Sequence, residues 1–160
     1  MKKIIVIGCP GSGKSTFAKR LQQKLQLPLC HLDLLFWNAD RTTVERAVFR
    51  ERLEQVLQTE EWIIDGNYAS TMELRMQHCD TVIFLDYPLE LCLQGVAERR
   101  GKPRTDMPWI ETEEDAELMA EIRTVPAEGR LKVLALLEQY PKKNILIFKD
   151  RAQADAFLEQ

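Results

Sequence analysis

The sequence predicts an α/β fold, a parallel sheet wrapped on both faces by helices, and three observations carry that prediction. Short apolar runs suited to buried strands recur at Ile4-Ile5-Val6-Ile7, Trp62-Ile63-Ile64, Thr81-Val82-Ile83-Phe84-Leu85 and Ile145-Leu146-Ile147-Phe148. Helical stretches lie between them, the alternation that leads from one parallel strand to the next by a crossover. The first run also passes through a glycine-rich turn directly into an amphipathic helix. At 160 residues the chain suits one domain, 1–160, with length enough to bury a core.

The first strand is placed at Lys3 to Ile7, and the turn after it, Gly8-Cys9-Pro10-Gly11-Ser12-Gly13-Lys14-Ser15-Thr16, fits G-x-x-x-x-G-K-[ST] at every fixed position. Its glycines let successive N–H groups point inward at a polyphosphate, and the next helix adds its positive end. Gly8, Gly11, Ser12, Gly13, Lys14, Ser15 and Thr16 are therefore read as the ATP-binding set, with Lys14 reaching the β and γ phosphates and Ser15 ligating Mg²⁺. Helix one spans about Lys14 to Gln26, carries Phe17, Leu21 and Leu25 on one face, and is stopped by Pro28.

Leu29 to Leu32 reads as a short second strand ending at Asp33. In an open parallel sheet the carboxyl ends of the strands form one ligand edge, so Asp33 is expected beside the phosphate loop; the alternative is a turn-capping Asp. Leu34 to Thr42 looks irregular, and its Phe36 and Trp37 are either core or the wall of an acceptor pocket. Thr43 to Thr59 forms a charge-rich helix in which Arg46, Arg50 and Arg52, with Arg41 before it, either face water or approach an anionic acceptor, and Arg41, Arg46, Arg50 and Arg75 are the candidates for an anion clamp or else ordinary helix-surface charges.

Trp62 to Tyr68 is the second strong signal: apolar residues, then Asp65 and Gly66 at a strand end. Alone, Asp-Gly is a good turn; after a phosphate loop, Asp65 is placed to hold a water of the Mg²⁺ shell opposite Ser15. Gly66 permits close approach to a ligand, and Asn67 and Tyr68 are candidate acceptor contacts. Ser70 to Gln77 suits a short helix, with His78 and Cys79 structural.

Thr81 to Asp86 is a buried strand, and Pro88 opens a helix over Leu89 to Arg100. That helix ends in a cationic corner containing Arg99, Arg100 and Arg104. Such charge suits a helix C-terminus, but beside a Pro-containing loop it also suits a lid around 99–108 whose guanidinium groups neutralise a transferring phosphate and exclude water. An acidic helix over Glu111 to Ile122, a helix through Leu131, Leu134 and Leu137 to Tyr140, a fifth strand at Asn144 to Phe148 and a closing helix at Ala152 to Leu158 complete the chain.

Composition sets outer limits. With 45% hydrophobic and 29% charged residues the chain is ordinarily globular; no apolar run approaches a membrane span, and the apolar stretch after Met1-Lys2-Lys3 is too short for a signal peptide. A soluble cytoplasmic protein with no membrane association is expected. The net charge of −3 provides no general footprint for nucleic acid, so no direct nucleic-acid binding is expected. The four cysteines show no metal-type pairing and read as reduced, mostly buried thiols.

At Gly8 to Thr16, His31-Leu32-Asp33, Ile64 to Tyr68 and Arg99 to Arg104 the chain resembles the small P-loop kinases related to adenylate kinase, and within them the topology modulation, or FlaR-like, proteins. The resemblance implies a three-layer P-loop NTPase fold with a five-stranded sheet in order 2-3-1-4-5, ATP with Mg²⁺, and a short lid. Asn67-Tyr68 stands where adenylate kinases carry Phe-Pro-Arg, which removes an arginine for an acceptor phosphate. Asp33 is similar to the acidic residue with which kinases of the shikimate and gluconate type address an acceptor hydroxyl.

Together these readings describe an ATP-binding phosphotransferase that moves the γ-phosphoryl group to a hydroxylated metabolite or a nucleoside, with Lys14, Asp33, Arg99, Arg100 and Arg104 catalytic. The alternatives are a nucleoside monophosphate kinase and a regulatory ATPase that acts through partners. A guanine-nucleotide switch is disfavoured, because no Asn-Lys-x-Asp motif occurs.

Overall fold

The computed structural model describes residues 1–99 and 126–160. Five strands, β1 (Lys3–Gly8), β2 (Leu29–His31), β3 (Trp62–Asp65), β4 (Thr81–Leu85) and β5 (Asn144–Phe148), form one parallel sheet in order β2-β3-β1-β4-β5. The helices among the described residues are α1 (Lys14–Leu25), α2 (Leu32–Phe36), α3 (Arg46–Leu57), α4 (Ala69–His78), α5 (Leu89–Arg99), α6 (Pro126–Glu138) and α7 (Arg151–Glu159). The expected lid with Arg100 and Arg104, the side chain of Arg99 and the expected acidic helix lie outside the described residues.

The continuous apolar runs follow from burial on both faces: every residue of β3 and β4 is buried. Alternate side chains feed two cores. Ile5, Ile7, Ile64, Val82 and Phe84 pack with Leu53 and Leu57 of α3 and Met72 and Met76 of α4. Ile4, Val6, Ile63, Ile83 and Leu85 pack on the other face with Phe17, Ala18 and Leu21 of α1 and Ala154 of α7. β5 stands at the sheet edge and is only partly covered.

Several local expectations are corrected. Helix α1 ends at Leu25, one residue short of the expected Gln26, because Gln26 adopts a left-handed φ of 57° and its N–H bonds Gln22 O, which closes the last turn. The second strand is shorter than expected, and Leu32 to Phe36, split between strand and irregular segment in the sequence reading, form α2 with Leu32 buried. Helix α3 begins at Arg46 rather than Thr43, since Thr43 forms an antiparallel bridge with Trp37 and Val44 N–H bonds Phe36 O. Its buried face is Phe49, Leu53 and Leu57, a spacing of four that the surrounding charges obscured.

Cysteine chemistry departs most. Cys9 and Cys92 are joined in a disulfide, where reduced thiols were expected. Their sequence separation of 83 residues hides a contact that exists only because the phosphate loop packs on α5. Cys30 and Cys79 remain thiols, each pushed up to about 11, chiefly by burial.

Candidate active site

The phosphate loop leaves the carboxyl end of the central strand. Ser12 N–H bonds Cys9 O at 3.1 Å, and Gly11 and Gly13 take φ of +83° and +87°, values that only glycine adopts cheaply. Gly13 caps α1 with no side-chain bond, and the first turn carries no acidic residue, so the helix presents its positive end without a competing anion. The Lys14 ammonium lies across the loop, 3.2 Å from Cys9 O. Ser12 Oγ is buried without a hydrogen-bond partner among the described residues. An anion cradle with an orphaned hydroxyl fits a polyphosphate.

The loop rests directly on α5. A Cβ added at Gly11 would lie 2.0 Å from Cys92 O, and one added at Gly95 would lie 1.9 Å from Gly11 O. The two backbones touch, and no larger residue fits at either position.

Across the same edge, Asp65 ends β3 in register with Val6 on one side and His31 on the other. His31 Nδ1 bonds Asp65 Oδ2, with both side chains buried. Asp33 stands in the first turn of α2 rather than at the strand end, and the Tyr68 hydroxyl donates to Asp33 Oδ1. Burial, and secondarily the Asp33 charge, raise the Tyr68 pKa far above the usual tyrosine range, so the phenol stays a neutral donor. Phe36 joins Trp37, Phe49 and Tyr68 at ring separations of 5.5, 5.3 and 5.2 Å. Phe49 and Tyr68 are themselves 5.1 Å apart, so Phe36 and Tyr68 both pack against the core through Phe49, as the core reading of Phe36 had it.

Three candidate residues point elsewhere than the sequence suggested. Gly66 is needed for the side chain of Leu32, which an added Cβ would meet at 2.9 Å. The Asn67 amide bonds both backbone groups of Gly8. Arg75, considered for an anion clamp with Arg41, Arg46 and Arg50, is fully buried and bonds the carbonyls of Gly66, Asn67 and Tyr68. Burial lowers its pKa to about 10, which leaves it cationic at neutral pH. Arg50 pairs with Glu54 on its own helix at 3.1 Å, and Arg52 bonds Leu35 O at 3.0 Å.

The structure therefore brings Gly8 to Thr16 together with the Asp65 to Tyr68 segment, and Asp33 together with Tyr68. His31 is the participant that sequence reasoning did not assign, and Arg75 holds backbone carbonyls in place of the anion considered for it. The register of β2 with β3 is the signal that pairs His31 with Asp65. No cluster of three metal-type side chains occurs among the described residues, and no helix there is long and apolar enough to cross a membrane.

No protein-family model matches the chain. It is similar to shikimate kinase of Rhodococcus jostii (strain RHA1), with 32% identity over 117 residues that span 63% of this chain and 68% of that protein. The chain belongs to the P-loop kinases that include shikimate kinase. This kinase is also similar to adenylate kinase of Xylella fastidiosa (strain M23), 29% identical over 138 residues, or 80% of this chain and 71% of that one. Solved shikimate kinases share its fold. The structure from Acinetobacter baumannii in complex with shikimate has a TM-score of 0.61 at 16% identity, covering 99% of this chain and 89% of that one. The Aquifex aeolicus structure has a TM-score of 0.59 at 20% identity, covering 98% and 90%. The protein is an ATP-dependent small-molecule kinase, with the three-layer fold and strand order expected from sequence.

Proposed function

We propose that this kinase transfers the γ-phosphoryl group of ATP to a hydroxyl of a small metabolite or a nucleoside. The observation that carries the acceptor class is the Asp33 carboxylate on the ligand edge, with one oxygen fixed by the Tyr68 hydroxyl. A carboxylate held this way orients an acceptor hydroxyl and takes its proton as the oxygen attacks phosphorus. A phosphate acceptor at about 4 Å would be repelled by roughly 4 kcal/mol per unit charge at an effective dielectric of 20. Charge and geometry favour a hydroxyl.

On the nucleotide side, the amides of Gly11, Ser12 and Gly13 and the start of α1 receive the phosphates, Thr16 adds a hydroxyl, and Lys14 turns from Cys9 O towards the β and γ oxygens. Ser15 and Asp65 would hold Mg²⁺ or its water shell, and His31 fixes one Asp65 oxygen for that task. When bound, the ion neutralises charge on the transferring phosphoryl group. The aromatic wall of Phe36, Trp37 and Tyr68 excludes water from the acceptor side.

The adenylate kinase relative supports one second reading, a nucleoside monophosphate as acceptor. Against it, Arg75 is engaged with backbone carbonyls and Arg50 with Glu54. The narrower likeness to the topology modulation proteins rests on the motifs alone and is compatible with kinase chemistry without DNA contact.

Asp33→Asn tests the assignment. Acceptor-dependent turnover should fall about a hundredfold or more while ATP affinity barely changes. Intact phosphorylation in the variant, or productive turnover with nucleoside monophosphates alone, would replace the hydroxyl reading with the phosphate one.

A further inference from the structure

Strand β3 pairs with β1 as far as Val6 and Asp65, and Gly66 N–H still donates to Val6 O at 3.1 Å. There the backbone turns away, with Gly66 at φ +133°. On that side of β1, the N–H and C=O of Gly8 have lost the strand that would have paired them. Asn67 supplies both bonds from its side chain: Oδ1 accepts from Gly8 N–H at 3.1 Å, and Nδ2 donates to Gly8 O at 2.6 Å. A primary amide offers one donor and one acceptor side by side, as a peptide group does. Gly8 is where the chain leaves the sheet for the phosphate loop, so this bracket fixes the point from which the loop departs.

Asn67 is itself held. The guanidinium of Arg75, with no exposure, bonds Gly66 O at 2.9 Å, Tyr68 O at 3.2 Å and Asn67 O between them. Three consecutive carbonyls on one buried fork leave this segment little freedom, and they keep Tyr68 at φ +38°, an uncommon value for an aromatic residue. From that position Tyr68 reaches Asp33.

We propose that Asn67 is a positioning residue for the phosphate loop, held in place by Arg75, and not a ligand of the acceptor. Arg75 thereby ties the nucleotide half of the site, through Asn67 and Gly8, to the acceptor half, through Tyr68 and Asp33. The inference rests on the reading of Gly8 to Thr16 as an ATP site, and the test separates the two.

The experiment measures binding of a fluorescent, non-hydrolysable ATP analogue with Mg²⁺ to wild type, Asn67→Leu, Asn67→Gln and Arg75→Lys, well below the melting temperature of each. Asn67→Leu keeps size and removes both bonds; a loop displaced by about 1 Å should weaken the analogue tenfold or more. Asn67→Gln keeps the amide and should recover part of that loss. Arg75→Lys keeps the charge but not the fork, and should weaken binding in the same direction even if Asn67→Leu fails to fold. A merely structural role would lower the melting temperature and leave affinity unchanged. Folded Asn67→Leu protein that binds the analogue within about twofold of wild type overturns the inference, as does unchanged binding in Arg75→Lys. Wild type that fails to bind the analogue overturns the ATP reading itself, and the inference with it.

Discussion

Gly95 belongs to no motif, yet its substitution by alanine should damage nucleotide binding. It sits on α5, and an added Cβ would lie 1.9 Å from the carbonyl oxygen of Gly11 and 2.9 Å from its carbon. That oxygen must retreat by about 1.1 Å before the contact reaches 3.0 Å, the least that real Cβ atoms tolerate. The obstacle is backbone on both sides, so no side chain can swing away. Either α5 lifts from the sheet or the phosphate loop shifts. Overpacking of this kind costs about 1–3 kcal/mol in stability, and a 1 Å displacement of reacting groups can cost on the order of a hundredfold in rate. The assay pairs thermal unfolding with titration of a fluorescent ATP analogue, using Ala97→Ser, an exposed site on the same helix, as control. Gly95→Ala should lose at least about tenfold in affinity, and the control almost nothing. A folded Gly95→Ala protein with wild-type affinity and stability would refute the claim that the loop and α5 are in backbone contact.

Two further outcomes follow from the described contacts. The Cys9 to Cys92 disulfide predicts two reactive thiols in unfolded, unreduced protein and four after reduction, with a loss near 4 kcal/mol of stability, or roughly 10 °C in melting temperature, on reduction; four thiols before reduction would disprove the bond. Asp86, whose side chain is 8% exposed, is raised by burial but lowered further by bonds from Arg130 and Lys149, so its folded pKa lies below the ordinary value. Its contribution, about 1 kcal/mol because both cations are half exposed, is therefore fully present above the unfolded pKa near 4 and is lost as pH falls through the folded value. Urea unfolding of wild type and Asp86→Asn should differ at pH 7 and converge on acidification; a difference independent of pH would contradict this.

Elements whose burial is two-sided were legible in the sequence, because a run such as Val82 to Leu85 has to be apolar at every position. The phosphate loop was legible for a different reason: its glycines and Lys14 are tied to backbone geometry at fixed spacing. Asp33 was placed on the ligand edge by the strand-end rule of parallel sheets, and Asp65 by its position at a strand end after a phosphate loop. What the sequence hid depends on contacts made across the chain. Arg75 looked like one cation among several, and only its burial among carbonyls separates it from Arg50. Asn67 offered itself to a ligand until the end of β3 left Gly8 for it to pair. Gly95 carried no signal, since nothing in a helical run reveals that another backbone lies against it. In α3 the charged residues around Phe49, Leu53 and Leu57 masked a regular apolar face, and the helix start moved inward because Thr43 bridges Trp37.

The central claim is that ATP's γ-phosphoryl group goes to a small hydroxylated acceptor under the direction of Asp33. The direct measurement is mass-resolved detection of phosphorylated product, with ATP and Mg²⁺, across a panel of hydroxylated metabolites, nucleosides and nucleoside monophosphates. It is run in parallel with wild type and Asp33→Asn. The account predicts a hydroxylated compound or nucleoside that gains one phosphoryl group in wild type and about a hundredfold less in the variant. Slow ATP hydrolysis that no acceptor stimulates, or transfer to nucleoside monophosphates alone that Asp33→Asn leaves intact, would contradict it.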